Sequence, residues 1–139
     1  MENINVYSKS DHPLGRLLSN FAHTPFEANG HRFESVEAWW YWYCTGKKYH
    51  HLKQYYGFKA KQEGRKYPKV FKVTPEILLQ VYRIKLDQNQ SIKEALLGYP
   101  GGFDHYYIYG EKKVYAPEYL WTVKLWETLR NELLSEQER

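Results

Sequence analysis

The stretch Ser35 to Gly46, SVEAWWYWYCTG, sets one carboxylate, Glu37, among five consecutive aromatic residues. Its pattern predicts a short helix with Ser35 as N-cap and Glu37 in the first turn, where the helix dipole favours an ionised carboxylate. At 3.6 residues per turn, Glu37, Tyr41, Cys44 and Lys48 fall on one stripe, so one face is expected to be polar and the rest apolar. A lone acid framed by flat rings is suited to holding a sugar or base and to stabilising positive charge beside it, and Trp40 and Tyr41 are the candidate rings. The plainer reading is a core helix with a solvated first-turn glutamate. A second candidate is AKQEGR, Ala60 to Arg65. Lys61 and Arg65, four apart at a helix end, project to one side, where Arg grips a phosphate as a fork and Lys as a point charge. Alone, this is also a solvated basic turn.

Other chemistry-bearing types are weaker. Adjacent His50 and His51, with His31, lack a ligand spacing completed by an acid or cysteine, so no metal site is expected and solvated histidines are the better reading. Gly101-Gly102 lacks the lysine and spacing of a phosphate loop. Asp104-His105 has no nucleophile elbow to serve.

Several elements must position these residues. Ile4 to Tyr7 alternates as a short strand, ended by the polar cluster Ser8 to Pro13, and Leu17 to Phe21 reads as a compact apolar turn. Pro25 to Phe33 is a hairpin, because Asn29-Gly30 supplies both positive-φ residues of a type I′ turn. Lys47 to Tyr67 is basic and aromatic, with a short helix at Phe58 to Glu63 between Gly57 and Gly64. Thr74-Pro75-Glu76 starts a helix whose apolar side is Ile77, Leu78, Val81 and Ile84. Ser91 and Glu94 form a capping-box pattern before Ala95, with Gly98 as a left-handed stop. Phe103 to Tyr109 is a further strand. A last helix runs from about Ala116-Pro117-Glu118 to Leu134, with Trp121, Leu125, Trp126, Leu129 and Leu133 as its apolar stripe. The tail after it is expected to fray.

At 139 residues the chain is sized for a single domain, 1–139. Aromatic residues make up 18%, more rings than such a core needs, so some must reach the surface or a cleft. A net charge of +4 favours an anionic partner. One cysteine excludes an internal disulfide, and no apolar run has the length of a signal peptide or membrane span. A cytoplasmic, membrane-free monomer is the expectation. The layout is mainly α, of α+β type, with a small hairpin or sheet at one side.

Taken together, SNFA at Ser19 to Ala22, PFEANGHRFESVEAWW at Pro25 to Trp40, AKQEGR, IKLDQNQSIKEALL at Ile84 to Leu97 and Tyr109-Gly110 resemble the NADAR (YbiA-like) family in order and spacing. The hairpin with the SVE segment carries most of that resemblance. It implies a compact helical fold and hydrolysis of an N-ribosyl bond, with neither metal nor cofactor. The substrate would be ADP-ribose on the guanine amino group of nucleic acid, preferably single-stranded, in an antitoxin or counter-defence role. A nucleotide-like ribosylamino-pyrimidine phosphate of the riboflavin pathway is the alternative. The family's motif glutamate falls on Glu37, its basic pair on Lys61 and Arg65, its SNF on Ser19, Asn20 and Phe21, and its tryptophan-glycine pair approximately on Tyr109 and Gly110. The chain departs from the pattern at Ala38, Tyr41 and Cys44, which bears on substrate choice more than on bond type.

Beside the resemblance, a carboxylate fixed in an aromatic surround stabilises an oxocarbenium-like sugar or activates water, and Lys61 assists the leaving base or attacks the sugar as an amine. A different class of function is a non-catalytic module that stacks bases on Trp39, Trp40 or Tyr41 and holds phosphates with Lys47, Lys48 and Lys53.

Overall fold

The computed structural model describes residues 2–138. In chain order the elements are β1 (Ile4–Asn5), α1 (Pro13–Leu18), β2 (Phe26–Ala28), β3 (His31–Phe33), α2 (Val36–Cys44), a 3-10 helix (His50–Gln54), α3 (Gly57–Gly64), α4 (Pro75–Asp87), α5 (Gln90–Gly98), β4 (Phe103–Asp104), β5 (Tyr106–Tyr109), β6 (Lys112–Tyr115), a 3-10 turn (Pro117–Tyr119) and α6 (Leu120–Gln137). Among the described residues this is an α+β architecture of six α-helices and three two-stranded sheets. No helix there is long and apolar enough to cross a membrane. The contacts group into two units, Asn20–Asn89 and residues 2–19 with 90–138.

In the unit Asn20–Asn89, β2 and β3 pair antiparallel, Phe26 opposite Phe33 and Ala28 opposite His31. Asn29 at φ 53° and Gly30 at φ 82° make the turn the hairpin needs. Phe26 and Phe33 are buried, their rings 5.5 Å apart. Ser35 caps α2 by accepting from the Ala38 N–H at 3.0 Å. The helix stops because Gly46, at φ 105°, lets the Gly46 and Lys47 N–H groups fold back onto the Tyr43 and Trp42 carbonyls at 3.1 and 2.8 Å. Thr74 caps α4 by accepting from Ile77 N–H, with Pro75 following. The buried side of α4 is Leu78, Val81, Tyr82, Lys85 and Leu86. Ile77 and Ile84, expected there, lie at its margin.

In the other unit β1 runs parallel to β4. Residues 13–18, expected to lie across a polar cluster and an apolar turn, form α1 instead: His12 Nδ1 accepts from the Leu14 N–H at 3.1 Å, and Pro13 sits where its missing N–H costs nothing. Gly15 permits the approach to β1, since a Cβ there would lie 2.2 Å from the Asn5 carbonyl. The capping-box reading of Ser91 fails, because α5 begins at Gln90 and Ser91 is already helical. Gly98 closes α5 without a positive φ. Phe103 to Tyr109 is two strands: buried Asn5 takes both main-chain groups of Tyr106 at 2.9 Å, and His105 donates through Nδ1 to Val6 O at 2.8 Å, so the chain changes partner there. β5 then pairs antiparallel with β6, a strand absent from the sequence reading because Lys112 to Tyr115 is exposed throughout. On α6 the buried side includes Thr122, Val123, Trp126, Leu129, Arg130 and Leu133, while Trp121 and Leu125 are half-buried. Arg130 donates to the Tyr99 and Gly101 carbonyls at 2.8 and 2.5 Å and so fixes the loop before β4. The helix extends past Leu134 to Gln137.

Candidate active site

Asn20 and Phe21 brace the starts of two helices. The Asn20 carbonyl accepts from the Glu37 N–H at 2.9 Å, and the Phe21 carbonyl accepts from the Gly57 N–H at 2.8 Å. These N–H groups belong to first turns and have no partner within their own helices. The Asn20 side chain is itself held, its Oδ1 accepting from the Tyr82 hydroxyl at 2.9 Å. Ser35 completes the frame: besides capping α2 it donates through its hydroxyl to Tyr55 O at 2.9 Å. Glu37 therefore stands on a helix start tied by hydrogen bonds to two other parts of the unit, at Asn20 and at Tyr55.

The preference of the helix dipole for an ionised Glu37 is opposed by burial. Its residue retains some access to solvent, yet the protein around the carboxyl is dense, and burial pushes it from 4.5 up to about 7. The positive charges of Lys61, Lys69 and Arg65 oppose that rise without cancelling it. Desolvation wins because a first-turn dipole contributes about 1 kcal/mol while removing a carboxylate from water costs several. A carboxyl that shares its proton near neutral pH can take or give one.

Helix α3 and its C-cap supply Lys61 and Arg65 because α3 lies against α2 with almost no spacing. A Cβ on Gly64 would meet the Tyr41 ring at 2.1 Å, so only glycine fits. Tyr41 is consequently a packing residue, 6% exposed, rather than the stacking ring expected of it, and Trp39 is buried as well. Trp40 remains half-exposed. The expected polar stripe is thus mostly interior: Cys44 is buried, and burial pushes its thiol up, away from reactivity. Lys48 lies beyond the end of α2. Within α3 Lys61 is half-buried, and Arg65 caps the helix and is exposed.

The structure brings Glu37, Lys61 and Arg65 into one electrostatic neighbourhood, with Asn20 and Phe21 as backbone supports. Ser19, buried, and Tyr109-Gly110 belong to the other unit. Tyr109 is 65% exposed, and Gly110, at φ 63°, follows it where β5 turns toward β6. Lys69 was missed. Val70 and Phe71 donate to the Cys44 carbonyl at 2.7 and 3.0 Å, which returns this loop to α2 and sets Lys69 5.6 Å from the centre of the Tyr41 ring. Nothing in the local sequence announces that return. Exposed Tyr56, Phe58 and Phe71 are the aromatic surface of this unit, where Trp39 and Tyr41 had been expected. Among the described residues no three of His, Cys, Asp and Glu converge as metal ligands. No protein-family model matches the chain, and neither a curated protein nor a solved structure shows significant similarity to it.

Proposed function

We propose that this chain is an N-glycosidase of the NADAR type that removes ADP-ribose from the guanine amino group of nucleic acid, with Glu37 as its catalytic carboxylate. The observation that carries this reading is a carboxyl pushed up to about 7 and faced by Lys61, Lys69 and Arg65. An acid with that proton affinity and that cationic surround suits acid–base work on a phosphate-bearing substrate.

In the reaction, water adds across the C1′–N bond. The ionised Glu37 takes a proton from the attacking water and stabilises the positive charge that builds at the sugar as the bond to nitrogen lengthens. The nitrogen departs with the electron pair of that bond and takes up a proton, which Glu37 returns directly or through solvent. Lys61 and Arg65 hold the diphosphate, and Lys61 also stands as the amine that could open the sugar in a covalent variant of the same cleavage.

The test is incubation with a guanine-ADP-ribosylated single-stranded oligonucleotide and measurement of released ADP-ribose. Release by the parent chain and its loss in Glu37→Gln are the expected results. No release, together with equal affinity for modified and unmodified strands, would replace this reading by that of a nucleic-acid-binding module.

A further inference from the structure

The hairpin and the 3-10 helix that follows α2 border a shallow, open cavity of about 470 Å³ that the glycosidase chemistry does not use, lined by Arg32, Glu34, His50, His51, Lys53 and Gln54. Its charge is mostly of one sign. The sole acid lining it, Glu34, is already engaged: its carboxylate accepts from Arg32 at 2.8 Å and pairs with His23 at 2.9 Å. Lys53 donates from Nζ to Nδ1 of His31 at 3.0 Å, and the His31 ring stacks on His50 at 5.9 Å between centroids while resting against Trp42 at 4.9 Å. His51 bonds the Tyr67 hydroxyl through Nε2, leaving its other ring nitrogen.

This arrangement excludes the metal that three neighbouring histidines suggest. The ammonium of Lys53 occupies the His31 lone pair, and a cation entering there would meet Lys53 and Arg32. Cationic groups crowd together instead: burial, then Lys53, then His50 hold the His31 pKa below its ordinary value. An anion relieves that crowding. Lys53, His50, His51 and Gln54 offer more donors than the two oxygens of a carboxylate can accept, and phosphate oxygens match them in number. The volume exceeds what a bare ion needs and suits a phosphate carried on a larger group. The surrounding unit agrees in charge, because Asn20–Asn89 holds 12 Lys and Arg against six Asp and Glu, a net +6 within a chain of net +4.

We propose that this cavity is a phosphate-binding site, in which Lys53, His50 and His51 hold the phosphate of a free nucleotide or of a nucleic-acid strand. The site is built by β3 and the 3-10 helix and uses none of Glu37, Lys61 or Arg65, so it stands or falls apart from the glycosidase reading.

The experiment titrates the full chain with inorganic phosphate and, separately, with an unmodified single-stranded oligonucleotide, following the histidine ring resonances and the affinity. Phosphate should shift the rings of His31, His50 and His51. Lys53→Gln should weaken binding by about tenfold, as for loss of a charge-assisted hydrogen bond. Gln54 is exposed, so its replacement leaves the fold alone. Gln54→Glu should weaken binding by about two- to fivefold and Gln54→Lys should tighten it by a similar factor. Glu37→Gln should bind as the parent does. A strand that binds at least about tenfold more tightly than phosphate, with an affinity that falls steeply with salt, identifies nucleic acid as the source, and comparable affinities identify a free phosphate ester. Unmoved histidine resonances, or equal affinities across the Lys53 and Gln54 variants, would overturn the site. Lost phosphate binding with intact ADP-ribose release removes this proposal alone, and the converse removes the glycosidase alone.

Discussion

Glu37 is where placement and proton affinity meet. If it acts as the base, kcat/KM should rise with pH through about 7 and then level, because the carboxylate is the competent form and burial sets its pKa there. Removing the charge in Glu37→Gln should lower single-turnover rates by roughly a hundredfold or more. The same substitution should stabilise the protein. A carboxyl at about 7 in the fold against 4.5 when free contributes its stability below pH 4.5 and loses it as pH rises to 7, so by pH 8 the buried charge is a burden. Glu37→Gln should therefore raise unfolding free energy at pH 8 by about 1–3 kcal/mol, and much less at pH 4.5, as read from urea curves at the two pH values. A variant that is inactive and more stable would separate catalysis from packing. At the same scale, Lys61→Ala and Arg65→Ala should weaken binding of ADP-ribose, Arg65→Ala the more, whereas exposed Lys9→Ala should not. Equal affinities for all three would place the diphosphate elsewhere.

Among the elements, the α2–α3 contact decides the site. Gly64→Ala gains helix propensity of about 1 kcal/mol but drives a methyl group into the Tyr41 ring. Steric overlap outweighs propensity, and the expected net loss is about 1–3 kcal/mol. Because α3 carries Lys61 and Arg65, activity should fall with it. Tyr41→Ala opens space beneath residue 64, so the double variant should be less destabilised than the sum of the singles, a coupling that thermal unfolding of the four proteins measures. Strict additivity would mean that the helices do not press together there. The β2–β3 hairpin and the caps of α2 and α4 were legible in the sequence because each rests on contacts within a few residues: Asn29-Gly30 for the turn, Ser35 and Thr74 for the helix starts. Strand β6 and the return of Val70-Phe71 to α2 were not, since exposed lysines and a Pro-containing loop carry no periodicity.

Across the molecule, two titrations near pH 7 act with opposite sign. Lys85 is fully buried, and burial lowers its amine from 10.5 to about 7. Between those values the unfolded chain holds a proton that the folded chain does not, so stability rises with pH from 7 to 10.5, whereas the Glu37 contribution falls from 4.5 to 7. From these two groups the expected profile is a shallow minimum near neutrality, and Lys85→Met should abolish the alkaline rise while leaving the acid side. Urea unfolding at pH 5, 7 and 9 checks it, and an unchanged alkaline limb in the variant would dismiss Lys85 as its source.

Residue types and short-range spacing were enough to determine the α+β class, the Asn29-Gly30 turn, the N-caps of α2 and α4, and the candidacy of Glu37, Lys61 and Arg65, because propensity, capping and turn chemistry are local. Tertiary structure decided what those residues are to one another. It withdrew Tyr41 and Cys44 from a helix face read as polar, left Tyr56, Phe58 and Phe71 outside, brought Lys69 to α2 and turned two of the histidines read as solvated, His50 and His51, into the wall of a cavity. It also raised the proton affinity of Glu37 above what its helix position implies. Desolvation depends on the atoms surrounding a group from every direction, whereas spacing along the chain reports only its neighbours within a turn or two.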